Sequence, residues 1–443
     1  MHTLNSIVHR NQVLQFSVIV AISVVIALAY GTGRTRQLVM LAAALLFVIF
    51  VWDLRLVVPI LILVIPFGPR YTMSFGNLYL ATPITILALA AWIWRNAARA
   101  KPFTFPRNPI LPALAILFII LAISAVQSFS LLLSETTRLL RFVQFFFYAC
   151  VFAMLLQMDL SRRHIRALLA LALIAGVVQG MVGAWQWITN PGFYVAGTFG
   201  FDHSAFAAYV IFICMLLVGI LLEARRWTVV ASVLMALGFL LFSLVLSFSR
   251  AGYVSLFVAA IVFLCMPVSK VRRLLLIGCG IALVLVSYFT VPVDVRLRAY
   301  SILSNLSGRD IGISFSGRLE MWKEAFRDFL DYPILGKGVW SYRLRDNFYL
   351  KVLGESGILG LLAFLWLLFN ILKQEWLAIR ARVGDRFVRG IAVGLLPGTV
   401  ACLIVLNLAQ DLFGVHMFMG NFWIVLALTL KYCSGGDTAA VGS

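Results

Sequence analysis

Fourteen apolar runs alternate with polar breaks along the chain, at about 13–30, 38–52, 55–67, 80–94, 109–128, 139–157, 166–188, 204–222, 228–248, 252–268, 274–291, 350–372, 390–410 and 415–432. Most have or approach the length, about 17–25 residues, that a helix needs to cross the hydrocarbon core of a bilayer. The pattern predicts an all-α polytopic integral membrane protein with 12–14 transmembrane helices. Only Asp53 and Arg55 separate the second and third runs, and Pro59 and Pro66 interrupt the third. Those two runs are either full spans or a re-entrant hairpin, and the sidedness of both flanks is the same in either case. The longest polar interval follows the eleventh run. The predicted organisation is therefore transmembrane helices 1–11 over 1–291, an extracytoplasmic loop over 292–349, helices 12–14 over 350–432 and a cytoplasmic tail over 433–443. Residues 1–12 lack the small-residue cleavage site of a signal peptide, so the first run is expected to remain as an anchor.

Composition agrees with the periodicity. With 63% hydrophobic residues, 12% charged residues and a mean hydropathy of +1.01, the chain does not fit the soluble globular class. The cysteines at 150, 214, 265, 279, 402 and 433 lie in or at the ends of apolar runs, with no CxxC spacing. Neither a disulfide framework nor a zinc site is suggested.

Charge sets the orientation. One set of alternate loops carries Arg95, Arg99, Lys101 and Arg107, then Arg162, Arg163 and Arg166, then Arg225 and Arg226, then Lys270, Arg272 and Arg273, and finally Lys373, Arg380, Arg382, Arg386 and Arg389. The intervals 189–203 and 411–414 on the opposite side have no Lys or Arg. By the positive-inside rule both termini face the cytoplasm and the 292–347 interval faces outward. Most of the net charge of +19 is thereby explained by orientation and by anionic lipid head groups. No soluble basic face is left for nucleic acid.

The informative charges are those against the rule. The outward interval holds Arg296, Arg298, Arg309, Arg318, Lys323, Arg327, Lys337, Arg343 and Arg345, while Arg141 and Arg250 sit at outward ends of spans. The planar fork of arginine makes bidentate bonds to phosphate, so this cluster suits a lipid pyrophosphate. Pairing with Asp294, Asp310, Glu320, Glu324, Asp328 and Asp331 is the alternative, and is preferred for Arg296, Arg298 and Arg327. Within the interval, Leu319, Trp322, Phe326, Phe329 and Leu330 form a stripe that predicts a helix over 317–330, capped by Ser316 and stopped at Tyr332-Pro333. That helix lies in the membrane interface or packs on a small core of the loop. Arg318 then falls in its first turn, where anions are favoured.

These residues resemble a known family. Gly317-Arg318 with Trp322, followed by Pro333-Ile334-Leu335-Gly336-Lys337-Gly338, is similar to the large outer loop of the O-antigen ligase and Wzy-type polysaccharide polymerase superfamily. Asn347-Phe348-Tyr349-Leu350 and Leu353-Gly354-Glu355-Ser356-Gly357, running into a span, resemble its second hallmark. Ser249-Arg250-Ala251-Gly252 is similar to its Ser-Arg-Ser-Gly segment, and Gly197-Thr198-Phe199-Gly200 to the start of its Gly-Thr-Phe-Gly-Asn-Pro-Asn segment. The likeness touches residues 197–360.

The resemblance implies a metal-independent, inverting glycosyl transfer outside the bacterial inner membrane, with no cofactor. Its donor would be an undecaprenyl-pyrophosphate-linked oligosaccharide, supplied by a flippase. The acceptor would be a growing polysaccharide or the lipid A core, and a chain-length regulator is a further partner. Arg250 and Arg318 would offset charge on the departing pyrophosphate, and a base would take the acceptor proton. Ligases of the family place a histidine directly before the asparagine that Asn347 matches; here that position is Asp346. The departure favours a polymerase of exopolysaccharide or O-antigen repeat units over a ligase. Arg141, His203, Arg343, Arg345, Asn347 and Glu355 complete the expected binding set. His203 or Glu355 is the alternative base, and Glu355 is otherwise a structural ion-pair partner that Gly354 and Gly357 allow to approach closely. Gln410, Asp411 and His416 could line the same cavity, and Trp340 and Tyr342 could stack on a sugar. A transporter is the remaining class, but two matching halves with broken helices are not evident in the sequence, nor is a channel filter.

Overall fold

The computed structural model describes residues 35–67, 70–73, 76–98, 107–128, 136–190, 194–199, 202–266, 313–339, 347–381 and 383–434. Its helices are α1 (Thr35–Trp52), α2 (Val57–Phe67), α3 (Ala81–Ala98), α4 (Ile110–Gln127), α5 (Thr136–Gln157), α6 (Arg162–Thr189), α7 (His203–Glu223), α8 (Trp227–Leu246), α9 (Arg250–Cys265), α10 (Ile313–Asp331), α11 (Phe348–Arg380), α12 (Arg386–Thr399) and α13 (His416–Ser434). A two-stranded antiparallel hairpin, β1 (Arg70–Met73) and β2 (Gly76–Tyr79), pairs Arg70 with Tyr79 and Met73 with Gly76. Among the described residues, six helical segments are long and apolar enough to cross a membrane, and a seventh candidate is the bent α1–α2 pair. The all-α, multi-pass class read from the sequence therefore stands.

Contacts divide the chain into two units, residues 1–61 with 81–104, and residues 62–80 with 105–443. In the first, α1 packs on α3. The chain bends by 118° at Asp53, whose carboxylate accepts from the Arg55 amide and starts a short 3-10 turn. That bend falls where the sequence left two spans or a re-entrant hairpin open.

The second unit is a bundle organised by α7, whose 205–217 stretch is buried throughout. Local chemistry sets where its helices begin. Ser161, Asp202, Ser249, Asn347 and Asp385 each accept a backbone N–H of the first turn of α6, α7, α9, α11 and α12. Such caps satisfy amides that have no partner inside the helix. The peripheral α8 exposes Met235, Phe239 and Phe242, as a lipid-facing helix does.

The closest packing joins α12 to α7. Gly390, Gly394 and Gly398 are four residues apart, one above the other on α12. A Cβ at Gly394 would collide with the backbone of Met215 and Leu216, and one at Gly390 with Ile220. A Cβ at Gly219 would in turn strike Gly390 and Gly394. Small residues at this spacing let two backbones touch, the usual device where lipid removes the hydrophobic drive for helix pairing. Gly394→Leu is expected to cost about 3 kcal/mol or more, the upper range for overpacking, because the wall it meets is backbone. Loss of folded protein from detergent extracts checks this; normal levels would contradict the close approach.

Beyond Pro397 the helix widens into a π segment at Val400–Val405 and tightens at Leu406–Leu408. Buried Thr399, at that transition, donates to Glu375 of α11 at 2.6 Å and ties the two helices.

The bundle has two chemically distinct ends. One gathers the starts of α6 and α12 with the ends of α7, α11 and α13. There Arg389 pairs with Glu223, Arg166 lies 3.5 Å from Asp385, and Arg162 stacks over Tyr432. The other end, where α7, α9, α11 and α13 begin, carries the candidate chemistry.

Candidate active site

The site is built on a break in α11. Gly357 has φ 64° and ψ −163°, a conformation open in practice only to glycine. The break interrupts the helical ladder and frees carbonyls on one side and amides on the other. The 332–339 turn takes up both sets. Lys337 and Gly338 donate their amides to the Gly354 and Glu355 carbonyls at 2.9 and 3.1 Å. In return Ile358 and Leu359 donate to Pro333 and Ile334 at 2.9 and 3.4 Å. Gly336 and Gly338 also have positive φ, 71° and 115°, and a Cβ at Gly336 would collide with the backbone of Glu355 and Ser356. The turn is held against α4 as well, where Ser128 donates to the Val339 carbonyl and Ser124 to that of Glu355. The two hallmark motifs of the sequence are thus halves of one joint.

Lengths explain what the joint divides. All of α11 is 33 residues, about 50 Å, which exceeds a bilayer's hydrocarbon core. Residues 358–380 alone are about 35 Å and suit a tilted span. Residues 348–356 form a separate short helix, and its polar face is the site. Asn347 caps it by accepting from the Leu350 amide at 3.1 Å. Lys351 and Glu355 follow at four-residue spacing, on one face and both buried.

Lys351 pairs with Asp411 at 2.6 Å, with side-chain exposures of 4% and 11%. The second Asp411 oxygen accepts from the Gly414 amide at 2.9 Å. Around the pair stand Phe348, stacked on Phe413 at 4.7 Å, together with Phe145 and Phe364. Lys351 and Glu355 line a narrow cavity of about 40 Å³ with these rings, Leu117, Leu121, Val339 and Val352. Low-polarity walls strengthen any charge interaction inside it.

A chain of hydrogen bonds links this cavity to other expected residues. Gln410, beside Asp411, donates to both oxygens of Asp202 at 3.2–3.3 Å. Asp202 caps α7, so it fixes the next residue, His203, whose ring packs on Tyr194 at 4.8 Å. Val195 in turn donates to the Leu246 carbonyl, joining this segment to the turn before α9. Phe248 in that turn has φ 54°, Ser249 caps α9, and Arg250 is its first residue, half-buried. The Gly197–Phe199 segment is held from below, since Gln179 and Thr198 both donate to the Pro66 carbonyl.

The loop helix differs from its expected start. The helix α10 begins at Ile313, so Ser316 lies inside it and does not cap it, and Arg318 is in the second turn, away from the free amides. Phe315 continues the apolar stripe one turn before Leu319, which accounts for the extra turn. Arg318 is half-buried, whereas Arg327 is exposed and Lys337 pairs with Asp328 at 3.2 Å on the surface.

Asp346, Arg343, Arg345, Trp340 and Tyr342 lie outside the described residues, as do Arg296, Arg298 and Arg309. Positions 141 and 416 are in α5 and α13, with side chains outside the described set. Among the described residues no group of three or more His, Cys, Asp or Glu side chains could hold a metal ion. Sequence reading passed over Lys351. Its signal was a lysine inside an otherwise apolar run, four residues before a glutamate.

Residues 235–365 match the family model described as O-antigen ligase. The resemblance to that superfamily stands over this stretch. The O-antigen ligase match covers Arg250, Arg318, the 332–339 turn, Lys351, Glu355 and the break at Gly357, and ends eight residues beyond it. His203 and Asp411 fall outside the O-antigen ligase stretch, although hydrogen bonds tie their segments to it. No curated protein matches the chain.

Proposed function

We propose that this chain is a glycosyltransferase that polymerises undecaprenyl-pyrophosphate-linked oligosaccharide repeat units into exopolysaccharide or O-antigen on the outer side of the bacterial inner membrane. The observation that carries the reading is the cavity at the α11 break, with Lys351 and Glu355 in its wall, inside the stretch matched by the O-antigen ligase family. Orientation rests on the arginine-rich end of the bundle facing the cytoplasm. The cavity end then faces outward, where a lipid-linked donor is presented.

In this reading the acceptor hydroxyl attacks the anomeric carbon while the bond to the pyrophosphate oxygen breaks. The electron pair leaves on undecaprenyl pyrophosphate, and the acceptor proton passes to the Asp346 carboxylate. Arg250 and Arg318 stabilise the charge that develops on the leaving group. Arg141, Arg343 and Arg345 hold the remaining phosphate oxygens, and Asn347, His203 and Glu355 orient the acceptor. The second reading is transfer of finished polysaccharide to lipid A core, and the family match is compatible with either.

A deletion strain complemented with variants tests both readings. Loss of ladder-forming polymer supports the polymerase, whereas accumulation of full-length lipid-linked polymer supports the ligase. Arg250→Lys and Arg318→Lys are expected to lose most activity although charge is kept, because lysine lacks the bidentate fork. Asp346→Asn is expected to lose about 10²-fold or more, the scale of a missing general base. Exposed Arg327→Lys is expected to be silent. Equal tolerance at all four positions would overturn the site assignment.

A further inference from the structure

Helix α10 has three flanks where an ordinary surface helix has two. It packs against α11, and buried Ala325 with half-buried Arg318 and Phe329 share its covered flank. Glu320, Lys323, Glu324, Arg327 and Asp331 form a second flank, and all five are exposed. Leu319, Phe326 and Leu330 form a third. They are exposed as well, Phe326 by 51% and Leu330 by 62%. A helix resting on protein and otherwise facing water needs one apolar flank and a polar remainder. Three flanks fit a line where protein, water and an apolar medium meet.

The exposed apolar flank does not stop with the helix. Ile334, 60% exposed, continues it in the following turn. The Pro333 and Ile334 carbonyls accept from the Ile358 and Leu359 amides, so the apolar surface reaches the first residues of the 358–380 span. That span exposes Leu359, Leu362, Leu365 and Phe369 along one face, as a lipid-facing helix does. Large contiguous apolar patches on a surface mark a partner, and this one runs into the face that meets lipid.

We propose that α10 is a membrane-docking helix, with Leu319, Phe326, Leu330 and Ile334 inserted into the lipid leaflet at the cavity end of the bundle and the charged flank in water. The partner is the bilayer itself, met in the plane of its interface. Docking also sets the height of the turn that α10 leads into, and Val339 of that turn lines the cavity. The inference depends neither on the transfer reaction nor on which side of the membrane this end faces.

The full chain in nanodiscs of phosphatidylcholine with an acyl-chain diazirine would be irradiated, and lipid adducts located by peptide mass spectrometry. Adducts are expected at Leu319, Phe326, Leu330 and Ile334 with a yield like that of Phe369, and not at exposed Glu320, Glu324 or Arg327. Buried Phe364 is the blank. Phe326→Cys is expected to react with a membrane-impermeant maleimide about tenfold or more slowly than Arg327→Cys, the factor that burying one large apolar side chain supplies. Phe326→Asp/Leu330→Asp changes only exposed positions, so folded yield and the adducts at Phe369 should stay. Adducts at Leu319 and Ile334 should be lost. Fast labelling of Phe326→Cys would put this flank in water. Slow labelling without adducts would mean that protein covers it. Adducts that form only after a polyprenyl lipid is added would assign the flank to that lipid's tail. Any of these three results overturns the inference.

Discussion

Gly357→Ala is expected to abolish transfer and to lower the amount of folded protein in the membrane. Two effects add. The conformation at 357 costs an L-residue about 1–3 kcal/mol. The new Cβ would also collide with the Ile334 carbonyl, one of the two acceptors that hold the amides beyond the break. Relieving that collision pushes the 332–339 turn away and strands buried backbone groups of both strands of the joint, each worth about 1–3 kcal/mol. Glu355 and Lys351 lie within six residues of the break, so their aim into the cavity goes with it. The control is Gly238→Ala in α8, where a Cβ meets nothing within 4 Å and helix propensity improves by up to about 1 kcal/mol. Thermal unfolding in detergent with a polymer assay checks both. Wild-type behaviour of Gly357→Ala would mean that the break is not needed.

The sequence made the spans legible because lipid demands long apolar runs, and every candidate span described falls on one. It also brought out the residues of the joint, as Pro333-Ile334-Leu335-Gly336 and Gly354-Glu355-Ser356-Gly357, with Gly354 and Gly357 read as places of close approach. What it could not reveal is that the two motifs satisfy each other's backbone groups. Nothing in either motif's composition marks pairing across the seventeen residues, 337–353, between them. Lys351 was hidden for a related reason: its partner Asp411 is sixty positions away, and only the turn between α12 and α13 brings it near. The start of α10 was misplaced because Ser316 is a good cap residue, but the apolar stripe continues past it to Phe315. His203 was read as a binding residue or an alternative base, and what the sequence did not show is that its position is set by Asp202, which caps α7 and binds Gln410.

The pair Lys351–Asp411 yields the most discriminating test of whether this end of the bundle is a site or a clamp. Lys351→Met leaves Asp411 against phenylalanine rings with no cation. Removing one member of a buried pair costs about 3–5 kcal/mol, so the single variant is expected to be poorly folded. Asp411→Leu would also strand the Gly414 amide, whereas Asp411→Asn keeps an oxygen for it. The informative variant is therefore Lys351→Met/Asp411→Asn, which removes both charges and preserves that bond. Replacing a buried pair with groups of similar volume is often close to neutral, so folded protein should return to near wild-type level. Transfer should not return. It is expected to stay about tenfold or more below wild type, the effect of about 1.4 kcal/mol of lost transition-state stabilisation. The cavity would then have its shape but not the field of the ammonium beside Glu355. Recovery of transfer together with folding would assign the pair to packing alone and leave Arg250, Arg318 and Asp346 as the proposed chemistry.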